Sequence, residues 1–368
     1  MKAALFLLML LAMPVSAQEP QCVWPAWERY KAAMMTEDGR IIDHSSPRAI
    51  TTSEGQSYAM FFALVADDRH SFRRLLDWTI DNLAGGNLSR QLPAWLWGRD
   101  EEGRWRVLDD NNASDSDLWI AYNLLEAGRL WQEPEYSRLG TELLWRSAAQ
   151  SLRMLPGLGL ALLPGTLGFE SAEGWRLNPS YLPPQLLQRF AAQSRIWAEL
   201  AETSRRLLLE GAPRGLAPDW LRWQPGAGVA EAAELAGGSY DAIRVYLWLG
   251  MLDERTRGAS ELLAHFTPML EHTAADGWPP ERVDRLSGSA SGTGPAGFSA
   301  ALLPMLSRDR RFDAVLQRQL ERLRTQPPEA DAYYNQSLLL FGLGWYQGRY
   351  RFDQEGRLQP AWDSLCEQ

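Results

Sequence analysis

Three acids could do chemistry in this chain: Glu54 in TTSEGQSY (51–58), Asp115 in ASDSD (113–117) and Asp241 in GGSYDAIR (237–244). Each falls in the first turn of a strongly apolar helical run. Carboxyl groups brought together in one groove suit acid–base cleavage of a glycosidic bond. One protonated carboxyl gives its proton to the leaving oxygen, and one carboxylate activates water or attacks carbon. A structural reading competes with this one. Ser114 with Asp117, and Ser53 with Gln56, have the spacing of a capping box, and an acid at a helix start also complements the partial charge there. Three acids at equivalent places are harder to explain as caps than one. A helix N-terminus favours an ionised carboxyl, which suits a base. The proton donor must therefore be raised by burial and by anionic neighbours, a condition that Glu54, with Tyr58 and Asp115 nearby, could meet.

Tryptophan is the second clue, with 17 in the chain. Trp95, Trp97, Trp105, Trp220, Trp223 and Trp278 lie in long loop segments, where a flat ring with a polar N–H suits the apolar face of a pyranose. Helical ones such as Trp78 and Trp145 are expected in the core. The four histidines, His44, His70, His265 and His272, lack metal-ligand spacing, so no metal is expected. Gly288–Gly292 (GSASG) has alanine where a nucleophile elbow has serine, and reads as a loop. Neither a P-loop nor a dinucleotide fingerprint is present, so no cofactor is expected.

The elements that must position the acids follow a couplet of a buried and then an amphipathic helix. It recurs at Ser57–Ala66 with Phe72–Leu83, Asp117–Leu130 with Tyr136–Leu152, Leu186–Ala192 with Ile196–Leu209, Tyr240–Leu252 with Ala259–Leu270, and Phe298–Leu306 with Phe312–Leu323. A sixth buried helix, Gln336–Tyr346, takes Val23–Met35 as its partner and closes a ring. Recurrence at roughly 60 residues marks a repeated helical hairpin. The expected fold is all-α, an (α/α)6 barrel of six inner and six outer helices. An open solenoid is the alternative, but it would need polar capping repeats. The segments leading into the inner helices (84–112, 155–179, 213–238 and 275–295) are long, which puts a walled cleft at the inner-helix N-termini.

Residues 1–17 read as an export signal, with Lys2, the apolar run Ala3–Met13 and the small-residue end Val15-Ser16-Ala17. Residues 18–368 then form a single domain, and no later apolar run is long enough for a membrane anchor. The formal net charge of −9 argues against nucleic acid and anionic membranes and fits a neutral substrate. Cys22 and Cys366 stand near the two ends of the mature chain, and pairing and separate thiols are equally open.

ASDSDLWIAYNLLEAGRLW (113–131) closely resembles the signature of glycoside hydrolase family 8. SEGQSY (53–58) and SYDAIR (239–244) resemble that family's two other acidic motifs, and the likeness spans essentially the whole mature chain. It is strongest to the periplasmic cellulases encoded with bacterial cellulose synthases. The resemblance implies an (α/α)6 barrel and an inverting endo-β-1,4-glucanase, with Glu54 as proton donor and Asp241 as the base. Asp115 would hold the distorted sugar and steady positive charge, or act as a nucleophile in another description of the family. Arg244, one turn beyond Asp241, could orient the base. Tyr58, Trp95, Trp97, Trp105, Asp117, Trp220 and Tyr240 are the expected sugar contacts. Ser116 and Asn123 depart from the family's usual small residues. The implied partners are a β-1,4-glucan chain in the periplasm and a cellulose synthase or export complex. A non-catalytic glycan-binding accessory, or a hydrolase of the same fold acting on chitosan or mixed-linkage glucan, stands as the alternative.

Overall fold

The computed structural model describes residues 23–362. The expected export signal, Cys22 and Cys366 lie outside the described residues. Among the described residues thirteen α-helices dominate: α1 (Pro25–Met34), α2 (Ser53–Val65), α3 (Arg69–Leu83), α4 (Ser114–Leu130), α5 (Pro134–Ser151), α6 (Pro184–Ala191), α7 (Arg195–Gly211), α8 (Ile243–Gly250), α9 (Ala259–His265), α10 (Pro268–Asp276), α11 (Ala296–Leu306), α12 (Asp313–Thr325) and α13 (Tyr333–Tyr346). All six expected couplets are present, with boundaries moved by a few residues. One expected outer helix, Ala259–Leu270, is instead two, α9 and α10. Pro268 has no N–H to donate and its ring clashes with the preceding turn, so the chain breaks before it and restarts with proline at the first position.

Helices α2, α4, α8, α11 and α13 are buried on most sides, and the short α6 on one face through Gln185, Leu186, Leu187 and Phe190. Each packs against the next, and α13 returns to α2. The amphipathic helices lie against them, α3 on α2, α5 on α4, α7 on α6, α9 on α8, α12 on α11 and α1 on α13. Small residues allow the close approaches: a Cβ on Gly342 of α13 would lie 1.9 Å from the Ala300 carbonyl oxygen of α11. The middle of this arrangement is filled. Tyr58 and Phe61 of α2, Trp119 of α4, Trp248 of α8 and Phe341 of α13 meet there, with ring centroids 5.0 Å apart for Tyr58–Phe341 and 5.3 Å for Trp119–Trp248. Such pairs contribute about 0.5–1.5 kcal/mol each beyond the area they bury.

The long segments before the inner helices carry short antiparallel strands that helical periodicity could not reveal. Thr51–Thr52 pairs with Leu96–Trp97, and that strand pairs onward with Trp105–Asp109. Trp175–Leu177 pairs with Leu221–Trp223, and Gly237–Gly238 with Val283–Asp284. A last hairpin, Tyr350–Phe352 with Leu358–Pro360, follows α13. It is clamped by fully buried Glu126 of α4, which takes the Leu358 N–H at 2.8 Å and pairs with Arg189 at 2.6 Å and Arg129 at 2.5 Å.

Candidate active site

Arg244 ties the site together. Its guanidinium is buried in α8 and donates from Nη1 to Glu54 Oε2 at 2.6 Å and from Nη2 to Asp241 Oδ1 at 2.5 Å and Ser180 Oγ at 2.9 Å. The side chains of Glu54 and Asp241 remain 20% and 28% exposed, so both carboxyls are reachable from outside while the arginine between them is not. The expected pairing of Arg244 with Asp241 is present. Its simultaneous grip on Glu54, 190 residues away in sequence, is visible only in the structure. With one guanidinium spanning both, the two bonded carboxyl oxygens lie no more than roughly 7.5 Å apart.

The entry to α2 is set by strand pairing. Ser53 N–H donates to the Trp95 carbonyl at 3.0 Å, and Thr52, not Ser53, caps the helix by accepting from Gly55 N–H at 3.0 Å. The expected Ser53/Gln56 capping box is not formed. Gln56 instead receives Ile41 N–H and donates to Gly39 and Leu75 carbonyls. This leaves Glu54 in the first turn with its side chain free to turn inward, where Tyr333 O–H meets Oε1 at 2.8 Å.

Asp115 is 97% shielded and accepts the Ser116 N–H at 2.7 Å. Burial first, and then the charge of Glu54, push its carboxyl up to about 7. The helix N-terminus pulls the other way, but a helix end contributes at most about 2 kcal/mol, roughly 1.5 pKa units, whereas burial can shift a group by about 3–5 units. Burial wins. Asp115 is therefore a raised carboxyl beside the other two acids.

Asp117 is a correction. Expected to touch sugar, it is fully buried and accepts from Asn112 Nδ2 at 2.6 Å, and Asn112 in turn receives Thr166 N–H and O–H. Two helical residues apart means about 200° apart, so when Asp115 faces the site Asp117 cannot. It pins the 164–166 loop to α4 instead. The Ser114/Asp117 capping box is likewise absent, since the cap is Ala113 and Ser114 makes no capping bond. Asn123 uses its amide to reach the Ser57 carbonyl at 2.8 Å and so joins α4 to α2.

The tryptophans divide. Trp220 stacks parallel to Phe169 at 6.0 Å and meets Tyr181 at 6.3 Å, while Arg176 covers one face of it at 4.0 Å. Trp220, Asp219, Tyr240, Arg176 and Arg282 line a groove of about 390 Å³. Tyr240 is 46% exposed at its edge. Trp95 is half-buried beside the start of α2. Trp97 and Trp105 stack on each other at 5.0 Å, Trp97 packs on Trp78 of outer helix α3, and Arg40 lies 4.4 Å from both rings. Trp105 keeps 42% of its surface exposed. Trp223 is buried with its N–H on the Pro156 carbonyl, and Trp278 sits under Arg322. Trp145, expected in the core, is 43% exposed on α5. Tyr58 is a core residue, close enough to Glu54, Arg244 and Asp115 to feel their charges.

Several neighbours of the acids were not read from the sequence. Tyr333 and Tyr334 open α13 as the acids open theirs. Examining all six inner-helix N-termini, whatever residue stood there, would have found them. Tyr181 lies within the field of Asp115, Arg244, Asp241 and Glu54. Ser180 and Asp219 act through contacts 64 and 20 or more residues away and carry no local signal. Among the described residues, no group of three or more His, Cys, Asp and Glu side chains could hold a metal ion, and no helix is long and apolar enough to cross a membrane.

A family model described as glycosyl hydrolases family 8 matches residues 1–348. An endoglucanase of Salmonella typhi is 52% identical over 346 residues, covering 94% of this chain and 93% of its own. An endoglucanase of Escherichia coli (strain K12) is 50% identical over 361 residues, covering 98% and 96%. The crystal structure of an endo-1,4-D-glucanase from Vibrio fischeri ES114 superposes with a TM-score of 0.87 at 44% identity, covering 92% of this chain and 99% of that one.

Proposed function

This chain belongs to glycosyl hydrolases family 8, and from that premise we propose that it is an endo-β-1,4-glucanase, built as an (α/α)6 barrel, that cleaves internal bonds of a glucan chain with inversion. The barrel reading rests on the cyclic packing order of the six buried helices and on the outer helix beside each. The observation that carries the chemistry is the single Arg244 guanidinium joining Glu54 to Asp241. Glu54 gives a proton to the leaving glycosidic oxygen, and Asp241 takes one from the attacking water. Arg244 holds the two carboxyls in register. Separations of roughly 6.5–9.5 Å accompany inversion and roughly 5–5.5 Å retention, and the bound set by Arg244 admits both. Inversion is the outcome that the family resemblance implies, and because it forms no covalent glycosyl intermediate, Asp115 is left to hold the distorted sugar and steady positive charge. Trp220 and Tyr240 supply ring faces for neighbouring sugars.

The export signal read at residues 1–17 supports a periplasmic location. There it trims cellulose during synthesis and export, in contact with a synthase or export complex. Glu54→Gln is expected to abolish release of reducing ends from carboxymethylcellulose while cello-oligosaccharide binding persists; retained hydrolysis would remove Glu54 from the donor's role. Cellopentaose should first yield the α-anomer, and a β-anomer would assign Asp115 as nucleophile. Fractionation of cells expressing the full chain tests the location, and recovery only from the cytoplasm counts against it.

A further inference from the structure

We infer that Asp219 is a positioning residue for the base, a reading that rests on the role proposed for Asp241. The chain enters α8 through the turn Ser239–Ala242, whose N–H groups are the orphan donors of a helix start. A local Ser, Thr, Asp or Asn side chain usually accepts them. None does here, and Ser239 O–H instead donates to the Glu281 carbonyl at 2.7 Å. One oxygen of Asp219, twenty residues upstream, collects three of the amides: Ser239 N–H at 2.8 Å, Asp241 N–H at 3.0 Å and Ala242 N–H at 2.8 Å.

The platform beneath Asp219 is itself fixed. Asp219 N–H donates to the Gly237 carbonyl at 2.9 Å, and Ala217 N–H to Tyr246 O–H of α8 at 2.8 Å. Gly238 lies so close that a Cβ there would be 1.9 Å from the Ala217 carbonyl oxygen. Asp241 is thus held from both ends, its backbone by Asp219 and its carboxyl by Arg244. Asp219 also lines the groove between Trp220 and Tyr240, although its role acts through Asp241. A base displaced by about 1 Å can lose roughly 100-fold in rate.

The test is steady-state kinetics on cellopentaose with the full chain. Asp219→Ala is expected to lower kcat about 10–100-fold with KM changed less than about threefold, because the sugar contacts remain. Asp219→Asn keeps a carbonyl oxygen for the three amides and is expected to stay within about fivefold of the parent, and added formate should partly restore the alanine variant. If Asp219→Ala does not fold, Asp219→Ser replaces it; its shorter hydroxyl cannot serve all three amides, so the same kcat loss is expected. Parental kcat in a folded Ala or Ser variant, or an Asn variant as impaired as Ala, overturns the inference. Asp241→Ala separates the two readings. If it remains active, the base assignment fails; if it is dead while Asp219→Ala is unaffected, only the positioning role fails.

Discussion

Asp115→Asn should make the protein inactive and, by a margin that grows as pH rises from about 4 to 8, more stable. The fold raises the Asp115 carboxyl from an ordinary 3.8 to about 7. Between those values the native chain binds more protons than the unfolded chain, so stability falls as pH rises, and above the folded value the penalty is complete. At about 1.4 kcal/mol per pKa unit, the penalty is on the order of 4 kcal/mol at about pH 8 and roughly 1 kcal/mol at about pH 4.5. The amide is isosteric and still accepts the Ser116 N–H, so the variant escapes the ionisation cost without losing that bond. Its stability advantage should therefore be about 3 kcal/mol larger at the higher pH, or about 4 °C in Tm for a chain of this size. Thermal unfolding of both proteins by circular dichroism at the two pH values reads this difference. Hydrolysis of carboxymethylcellulose at about pH 8, where the parent carboxyl is ionised, should fall by at least about 100-fold, since the negative charge facing the sugar is gone. An advantage equal at both pH values, or absent at about pH 8, would refute the claim that burial of this carboxyl sets its proton affinity.

Arg244→Lys should lower kcat by at least about 100-fold while the protein stays folded, because an ammonium is a point donor and cannot span two carboxylates; near-parental kcat would show the bridge to be dispensable. Trp220→Ala should raise KM for cellopentaose about 3–10-fold, the loss of one stacking face, whereas Trp97→Ala should lower Tm and leave KM within about twofold. The opposite assignment would return Trp97 to the sugar path. Glu126→Ala, which strands Arg189 and frees the last hairpin, should cost about 3–5 kcal/mol in chemical denaturation with kcat unchanged in the folded fraction. Full stability would mean that the clamp is idle.

What the amino-acid order settled by itself was the helical pattern, which depends on neighbours one or two turns away. The alternation of buried and one-sided helices follows from a 3.6-residue period and marked all six couplets. The proline break between α9 and α10 is announced by Pro268, whereas neither capping box forms, because the true caps are Thr52 and Ala113. The three acids at helix starts, the Asp241–Arg244 pair at three-residue spacing and the divergence of Asp117 from Asp115 are all local geometry, and the last could have been read from helical angles alone. The tertiary structure decided which groups meet across the groove. Arg244 reaches Glu54 over 190 residues, Asp219 caps a turn it does not adjoin, and Tyr333 closes on Glu54 over 279. It also sent Trp97 to Trp78 and Arg40 while keeping Trp220 in the groove. Ring type and loop membership were the same for both tryptophans, and what differed was the neighbour each found on folding. The same holds for proton affinity: Asp115 is raised because burial removes it from water beside another carboxyl, and burial is a property of the packed fold.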